Sequence, residues 1–227
     1  MSLILPQTIP PFDNTSLFES ISNDIITKGF SIRPYALPEN LANLLLQHIS
    51  VLPNENFKRA GIGRAKDHSI NDFIRTDEIC WITNNTKASN AWIKWAESLR
   101  IFLNKRLFLG LFSFESHFAH YAERDFYKKH KDAFKGDNNR TLSIVVYLNK
   151  YWSPDDGGEL IIYDNQSSDS SIINNNIITV TPSFGTVVVF LSEKFPHEVL
   201  AAKRDRYSIA GWFRLNNSIN NNIDPPR

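Results

Sequence analysis

The chain has 227 residues, 42% of them hydrophobic, so it can bury a sizeable core in one large domain or two small ones. Its 25 Lys and Arg nearly balance 24 Asp and Glu, and this balance disfavours indiscriminate nucleic-acid binding. The single cysteine, Cys80, excludes an internal disulfide and any C-x-x-C pair, which indicates a reducing compartment, the cytoplasm. The apolar run before Phe12 has no basic segment and is broken by prolines, so neither a signal peptide nor a membrane span is predicted.

The first half of the chain mixes helical and extended patterns. Residues 1–28 are predicted to form an N-terminal lead-in with a short helix, and the polar stretch 54–72 has no regular period and is predicted to be a mobile loop. Apolar spacing or alternation predicts the other elements. In chain order these are a helix at Ser16–Ile26, a strand at Phe30–Arg33, a helix opened by Pro38, a strand at Ile74–Ile82 and a helix at Asn90–Phe108 whose tryptophans face the core.

Beyond residue 110 the pattern changes to short β-rich runs separated by turns, without intervening helices. This predicts a mainly β fold with flanking helices, namely a double-stranded β-helix (jelly roll) supported by N-terminal helices. Residues 29–215 are predicted to be one domain, 165–176 a solvated hairpin tip and 216–227 a flexible tail. The predicted strands are Ser113–Tyr121, Phe126–Lys131, Thr141–Asn149, Gly158–Tyr163, Ile177–Thr181, Thr186–Leu191, Glu198–Ala202 and Arg206–Arg214.

Three residues form a candidate metal site. His130 and Asp132 are two apart, and on a strand both side chains would point to one face. His197 lies at the start of another predicted strand. Two imidazole nitrogens and one carboxylate oxygen make the facial triad of non-haem Fe(II) oxygenases. Alone, an H-x-D tripeptide is common, and a solvated turn is the competing interpretation.

Arg206 strengthens the oxygenase interpretation. Alternation places Arg206, Ser208, Ala210 and Trp212 on one face of the last predicted strand. A buried arginine is unfavourable unless it meets an anion, and a guanidinium beside a serine hydroxyl is suited to a bidentate grip on a carboxylate. That anion could be a protein carboxylate, but beside the candidate triad a small diacid cosubstrate is the better interpretation.

The whole pattern resembles the 2-oxoglutarate- and Fe(II)-dependent oxygenases, and among them the prolyl hydroxylases of the oxygen-sensing type and their bacterial relatives. The high Asn, Lys and Ile content favours a bacterial relative. The resemblance extends from about Phe57 to Leu215. It is carried by the H-x-D…H…R set and by Ile74–Ile82 (IRTDEICWI), Tyr147–Trp152 (YLNKYW), the Gly157–Leu160 turn (GGEL) and Pro196–Val199 (PHEV).

The resemblance assigns a role to each candidate site residue. His130, Asp132 and His197 would bind Fe(II), Arg206 would pair with the distal carboxylate of 2-oxoglutarate beside Ser208, and O2 would be the second cosubstrate. Tyr147 would donate a hydrogen bond to that carboxylate, and Tyr121 would contact the cosubstrate nearer the metal. Three further residues would line the substrate groove, namely Tyr127, Arg140 and Trp212. Asp77 and the Arg59–Asn71 loop, which includes Arg64, would form a flexible finger that closes over the substrate. Two simpler interpretations stay open, that Tyr147 is a core residue and that Arg75 and Asp77 pair with each other.

The resemblance implies an enzyme that hydroxylates a prolyl residue of a protein while 2-oxoglutarate is converted to succinate. It leaves open a need for ascorbate. For bacterial relatives the translation machinery is a plausible source of the protein substrate, and for animal relatives the substrate class is a transcription factor. No membrane or nucleic-acid partner is expected. The alternatives are a related oxygenase acting on a free amino acid, a small metabolite or a nucleobase, and a cupin-like metal-binding module without turnover.

Overall fold

The computed structural model describes residues 13–61, 71–133, 139–164 and 176–216. None of the helices in these ranges is long and apolar enough to cross a membrane. The helices are α1 (Thr15–Lys28), α2 (Glu39–Ser50) and α3 (Lys87–Leu107). The strands are β1 (Phe30–Arg33), β2 (Lys58–Arg59), β3 (Glu78–Trp81), β4 (Ser113–Tyr121), β5 (Tyr127–His130), β6 (Arg140–Tyr147), β7 (Leu160–Asp164), β8 (Asn176–Val180), β9 (Val187–Leu191), β10 (His197–Val199) and β11 (Arg206–Arg214).

The strands form two antiparallel sheets, as the jelly-roll prediction requires. The larger sheet has the order β1-β9-β6-β11-β4-β3-β2, and the smaller one has the order β5-β10-β7-β8. In the larger sheet β11 is central, because it pairs with β4 along its whole length on one side and with β6 on the other. In the smaller sheet β10 brings His197 directly opposite His130 of β5.

The larger sheet has a hydrophobic core on each face. Its outer face packs on the helices, where Ile209 and Phe213 of β11 share one cluster with Trp92 and Leu99 of α3. Its inner face packs on the smaller sheet, in a second cluster made by Ala119, Tyr121, Tyr147, Leu160, Ile162, Val180, Val188, Phe190, Phe195 and Val199. Strand alternation produces this division, since neighbouring residues of one strand point to opposite faces. Polar residues on the inner face therefore lie between the two sheets.

Helix α2 begins after Pro38 as predicted, whereas α3 begins at Lys87, three residues before the predicted start at Asn90. Pro38 immediately precedes α2, and the Thr86 hydroxyl caps α3 by accepting from the backbone N–H of Ser89 at 3.1 Å. Helix α1 lies within the segment predicted to be a lead-in, yet its Phe18 and Ile21 are buried in the helix-side core. The first helix is therefore part of the packed structure.

Two predicted segments differ from the structure. The strand predicted at 74–82 is regular only over β3, because the Arg75 guanidinium turns toward the Asp77 carboxylate and the chain around Asn71 forms a turn. The region predicted to be an irregular loop contains a short 3-10 helix at Asn54–Asn56 and strand β2, which pairs with β3. The predicted finger residues 62–70, the hairpin tip 165–175 and the tail from 217 onward lie outside the described residues.

We expect Leu99→Ala to lower the free energy of unfolding by about 2–5 kcal/mol, because Leu99 is completely buried between α3 and the sheet. Ile101→Ala on the same helix removes a side chain that is 42% exposed. It should cost less than about 1 kcal/mol. Urea denaturation of both variants checks this, and equal losses would show that α3 does not pack as described.

Candidate active site

Three side chains converge between the two sheets. Nε2 of His130 lies 3.7 Å from Oδ1 of Asp132, and Nε2 of His197 lies 3.6 Å from Oδ2 of the same carboxylate. One donor atom from each residue lies within 4.8 Å of the others, which is close enough for a single ion to bind all three. Strand β5 ends at His130, so Asp132 reaches the site from the bend after the strand and not from the strand itself.

Backbone carbonyl groups set the tautomer of both histidines. Nδ1 of His130 lies 2.8 Å from the Lys128 carbonyl oxygen, and Nδ1 of His197 lies 3.1 Å from that of Phe195. Because a carbonyl oxygen can only accept, Nδ1 carries a proton in both rings, so in the neutral form of each ring Nε2 is the atom that presents a lone pair to the site. This is the outer-shell arrangement that orients histidine ligands of metals. Burial and the nearby His197 lower the pKa of His130 to about 3, which favours the neutral imidazole that a metal needs.

The carboxylate of Asp132 is held in its charged form. Burial alone would raise its pKa, but the two imidazoles and the Ser143 hydroxyl outweigh burial and lower the pKa to about 2. Ser143 Oγ donates to Asp132 Oδ2 at 2.6 Å and lies 2.9 Å from the Ser192 hydroxyl. A charged carboxylate with a fixed orientation is therefore available as the third ligand.

A second group of inner-face residues surrounds Arg206. This side chain is 1% exposed, and its hydrogen bonds are to neutral groups: Nε donates to the Gly158 carbonyl at 2.9 Å, and an Nη group donates to Ser208 Oγ at 3.4 Å. No carboxylate of the described residues lies within ion-pair distance of it. The structure does not support pairing of Arg206 with a protein carboxylate. A buried guanidinium without a counter-charge favours binding of a small anion.

Two tyrosines lie on either side of this guanidinium. Its central carbon is 4.9 Å from the Tyr121 ring centre and 5.0 Å from that of Tyr147. The Tyr147 hydroxyl is buried and makes no hydrogen bond to the described residues, and burial raises its pKa to about 12. It thus keeps its proton and can donate to an anion bound by Arg206. This unpaired hydroxyl favours a binding role over that of an ordinary core tyrosine.

The side chains of His130, Tyr127 and Arg75 stack on one another in that order. The Tyr127 ring is parallel to the His130 ring with centres 3.5 Å apart, and the Arg75 guanidinium lies 4.1 Å from the Tyr127 ring centre. Arg75 forms two hydrogen bonds to the fully buried Asp77, at 2.7 and 2.6 Å, and a third to the Gly61 carbonyl at 3.3 Å. The alternative in which Arg75 and Asp77 pair is therefore observed. The Asp77 carboxylate is thus bound by Arg75, and its effect on the site is to hold the Arg75 guanidinium in place.

An aromatic surface continues from the metal site across the larger sheet. The Trp212 and His117 ring centres are 5.4 Å apart, and His117 contacts the half-exposed Trp81 edge to face. Burial lowers the pKa of His117 to about 3, so this ring is neutral. The Arg140 guanidinium lies 3.6 Å from the Trp212 ring centre. These side chains share the inner face of the larger sheet, where Trp81 is exposed and His117 and Trp212 are buried.

Comparison with known proteins identifies the fold and the chemistry. A family profile described as "2OG-Fe(II) oxygenase superfamily" matches residues 116–214. A prolyl-4-hydroxylase from Pseudomonas putida is 35% identical with a TM-score of 0.77, over 88% of this chain and 99% of that one. This chain belongs to the 2OG-Fe(II) oxygenase superfamily. A prolyl hydroxylase from Trichoplax adhaerens, solved with a hypoxia-inducible-factor peptide, is 27% identical with a TM-score of 0.76, over 88% and 90% of the chains. Prolyl 4-hydroxylase from Phytophthora capsici, at 21% identity and a TM-score of 0.65, has the same fold over 92% of this chain and 68% of that one.

The cofactors of this oxygenase are Fe(II), 2-oxoglutarate and O2, as predicted. The residues present fit them. Two imidazoles and one carboxylate are the donor set that Fe(II) takes in such enzymes. The unpaired guanidinium of Arg206 and the unpaired hydroxyl of Tyr147 suit the carboxylate of a diacid.

The predicted site residues that the structure describes lie close together on the inner faces of the two sheets and on the chain segments beside them. Arg64 lies outside the described residues. Sequence reasoning missed Ser143, which orients Asp132, and Gly158, whose carbonyl accepts from Arg206. It also missed His117, whose ring packs on Trp212, and Trp81, whose ring packs on His117. Alternation gave a usable signal for Ser143, which shares a strand face with Tyr147, but nothing local marks the carbonyl of Gly158.

We expect Ser143→Ala to weaken Fe(II) binding about tenfold, because the Asp132 carboxylate loses the hydroxyl that orients it. Anaerobic titration calorimetry with Fe(II) measures the affinity. Ser98→Ala is the matched control, since the Ser98 hydroxyl is bonded to the Lys94 carbonyl on α3. An unchanged affinity in the Ser143 variant would contradict the role given to this serine.

We expect Gly158→Ala to weaken 2-oxoglutarate binding about tenfold or more, through displacement of the Arg206 side chain. A Cβ at residue 158 would lie 2.8 Å from Ala202 Cβ and 3.2 Å from Arg206 Cδ, and the backbone φ is +70°. Gly110→Ala is the control: its φ is +67°, but the added Cβ would meet only Leu215, at 3.8 Å. Binding to the Fe(II)-loaded protein is measured without oxygen, and equal effects of the two variants would rule out a specific effect on Arg206.

Proposed function

We propose that this oxygenase hydroxylates a prolyl residue of a protein substrate and converts 2-oxoglutarate to succinate and carbon dioxide. The observation that carries the proposal is the 35% identity to the Pseudomonas putida prolyl-4-hydroxylase over almost all of that chain. The Trichoplax adhaerens neighbour supports a polypeptide substrate, because its structure contains a bound peptide. Trp81, which is exposed and packs on His117 next to Trp212, offers an accessible aromatic side chain that is consistent with a chain-like ligand.

The chain's own residues would bind and orient the reactants. His130, Asp132 and His197 hold the metal from one side, which leaves the opposite side for cosubstrates. Arg206 binds the distal carboxylate of 2-oxoglutarate with help from Ser208 and Tyr147, and Tyr121 contacts the cosubstrate nearer the metal. Bound Fe(II), with 2-oxoglutarate and O2, supplies the oxidising power that replaces a C–H bond by C–OH.

The substrate side of the site would be formed by Tyr127, Trp212 and Arg140. Burial raises the pKa of Tyr127 to about 12, so its hydroxyl stays neutral beside a neutral prolyl ring. Trp212 is 8% exposed, so only a small part of its ring would face the prolyl ring. Asp77 positions Arg75, and Arg75 packs on Tyr127, so this pair would hold the Tyr127 ring in place. Arg64 is proposed to contribute from the finger.

The proposal is tested with Fe(II), 2-oxoglutarate and two kinds of substrate, a library of proline-containing peptides and free L-proline. We expect peptide-dependent succinate formation, with the mass gain of one oxygen atom on proline found by mass spectrometry. A purified, reconstituted translation mixture is a third substrate and tests the translation machinery directly. Hydroxylation of free L-proline in preference to all peptides would identify a metabolite oxygenase instead.

Two variants control this experiment. His130→Ala removes a metal ligand and should abolish both succinate formation and the modified proline. His48→Ala changes a histidine on α2, remote from the triad, and should leave both intact. Retention of hydroxylation in the His130 variant would show that the metal site is elsewhere. Failure of the Fe(II)-loaded protein to bind or consume 2-oxoglutarate would favour the cupin-like alternative.

A further inference from the structure

Two buried serine hydroxyls lie next to the Asp132 carboxylate, on the inner face of the larger sheet. Ser143 of β6 is 1% exposed, and Ser192, which directly follows β9, is completely buried. Ser143 pairs with Phe190 in the strand register, and the Ser192 backbone N–H donates to the Thr141 carbonyl at 3.0 Å, so the pairing of the two strands continues past the end of β9. This pairing brings the two hydroxyl oxygens to 2.9 Å from each other.

The partners of the two hydroxyls determine where their protons lie. Ser143 Oγ is 2.6 Å from Asp132 Oδ2, and an ionised carboxylate can only accept, so the single hydroxyl proton of Ser143 is donated to Asp132. The hydrogen bond between the two serines is therefore donated by Ser192 to a lone pair of Ser143 Oγ. The hydrogen bonds run in one direction, from Ser192 through Ser143 to Asp132. We call Ser192 and Ser143 the serine relay.

The fold alone does not require a hydroxyl at residue 192. Ser192 comes two positions after Phe190, an apolar residue of the inner core whose ring contacts His197 edge to face with centres 4.8 Å apart. A buried hydroxyl is unfavourable unless it is hydrogen-bonded, whereas an alanine in its place would have no polar atom to satisfy. The Ser192 hydroxyl has no hydrogen-bond partner other than Ser143 among the described residues. Its effect is therefore exerted on Ser143.

Asp132 needs such support more than the two histidines do. It lies in the bend after β5, so strand pairing does not fix its backbone, and its side chain depends on hydrogen bonds for its orientation. A hydroxyl that accepts a hydrogen bond becomes a stronger donor, because consecutive hydrogen bonds polarise one another. The bond from Ser192 also restricts rotation of the Ser143 hydroxyl, which keeps its proton directed at Asp132 Oδ2.

We propose that Ser192 is a positioning residue of the metal site, which acts through Ser143 to hold the Asp132 carboxylate in the orientation that binds Fe(II). Supporting hydrogen bonds of this kind commonly change metal affinity when they are removed, although the residues that make them do not touch the ion. The inference concerns the metal site alone, so it holds for any substrate that the oxygenase takes.

The test is a double-mutant cycle in which Fe(II) affinity is measured by anaerobic titration calorimetry. Ser192→Ala should weaken Fe(II) binding about fivefold, because Ser143 loses the hydrogen bond that directs its hydroxyl. When Ser143→Ala is already present, adding Ser192→Ala should change the affinity by less than about twofold, since the group through which Ser192 acts is gone. A purely structural effect of Ser192 would instead be the same in both backgrounds.

Two further variants separate hydrogen bonding from packing. Ser192→Cys fills nearly the same space but offers only a weak S–H donor, so it should bind Fe(II) as weakly as Ser192→Ala. Ser22→Ala is the matched control, because Ser22 is also completely buried and its hydroxyl donates to the Phe18 carbonyl on α1 at 2.8 Å; its Fe(II) affinity should be unchanged.

Circular dichroism of each metal-free variant checks that it is folded, and if the alanine variant does not fold, Ser192→Cys in both backgrounds gives the same comparison. Three results would overturn the role given to Ser192: full Fe(II) affinity in Ser192→Ala, full affinity in Ser192→Cys, or an equal loss with and without Ser143.

Discussion

The register of β11 in the centre of the larger sheet is the constraint on which the site depends. Paired on both sides, this strand directs Arg206, Ser208 and Trp212 between the sheets and Ile209 and Phe213 toward the helices. A slip by one residue would exchange the two faces and bury charged groups in the helix-side core. The apolar residues that stabilise the fold therefore also fix the positions of the residues that are proposed to bind the cosubstrate.

The same strand carries charge that the fold alone does not need. Burial of a guanidinium without a counter-ion is costly, and breaking or omitting its partner commonly costs about 3–5 kcal/mol. Arg206 is buried in this way, and among the described residues its hydrogen-bond partners are a carbonyl and a hydroxyl. Under the proposed function, the strand gives up stability to preform a site whose counter-charge is the carboxylate of 2-oxoglutarate.

Much of the fold could be predicted from the sequence, because alternation is strong in the strands of the second half of the chain. The bounds of β4 and β11 were predicted to the residue, and the ligands His130 and His197 follow from a short motif and a strand start. The predictions that failed concern segments whose structure depends on contacts between residues that are distant in the sequence. The strand predicted at 74–82 is interrupted because Arg75 turns to Asp77 and packs on Tyr127, more than fifty positions away.

Other features of the site could not be predicted for a related reason. The roles of Ser143 and the Gly158 carbonyl depend on which strands become neighbours, and no local pattern encodes this. Charge clusters such as Glu115 with Arg140 and Arg214 likewise unite three strands that are separated in the chain. The family resemblance implied a role for Arg140, but none for Ser143, Gly158, Glu115 or Arg214.

The triad also has a mechanical consequence. His130 and His197 belong to the smaller sheet, whereas Asp132 is bonded to Ser143 of the larger one. An ion bound by all three side chains would link the smaller sheet to the larger one, as a covalent cross-link does. Since only the folded chain brings these ligands together, binding energy is added to folding stability. Occupancy of the site would then set the spacing of the two sheets around the triad.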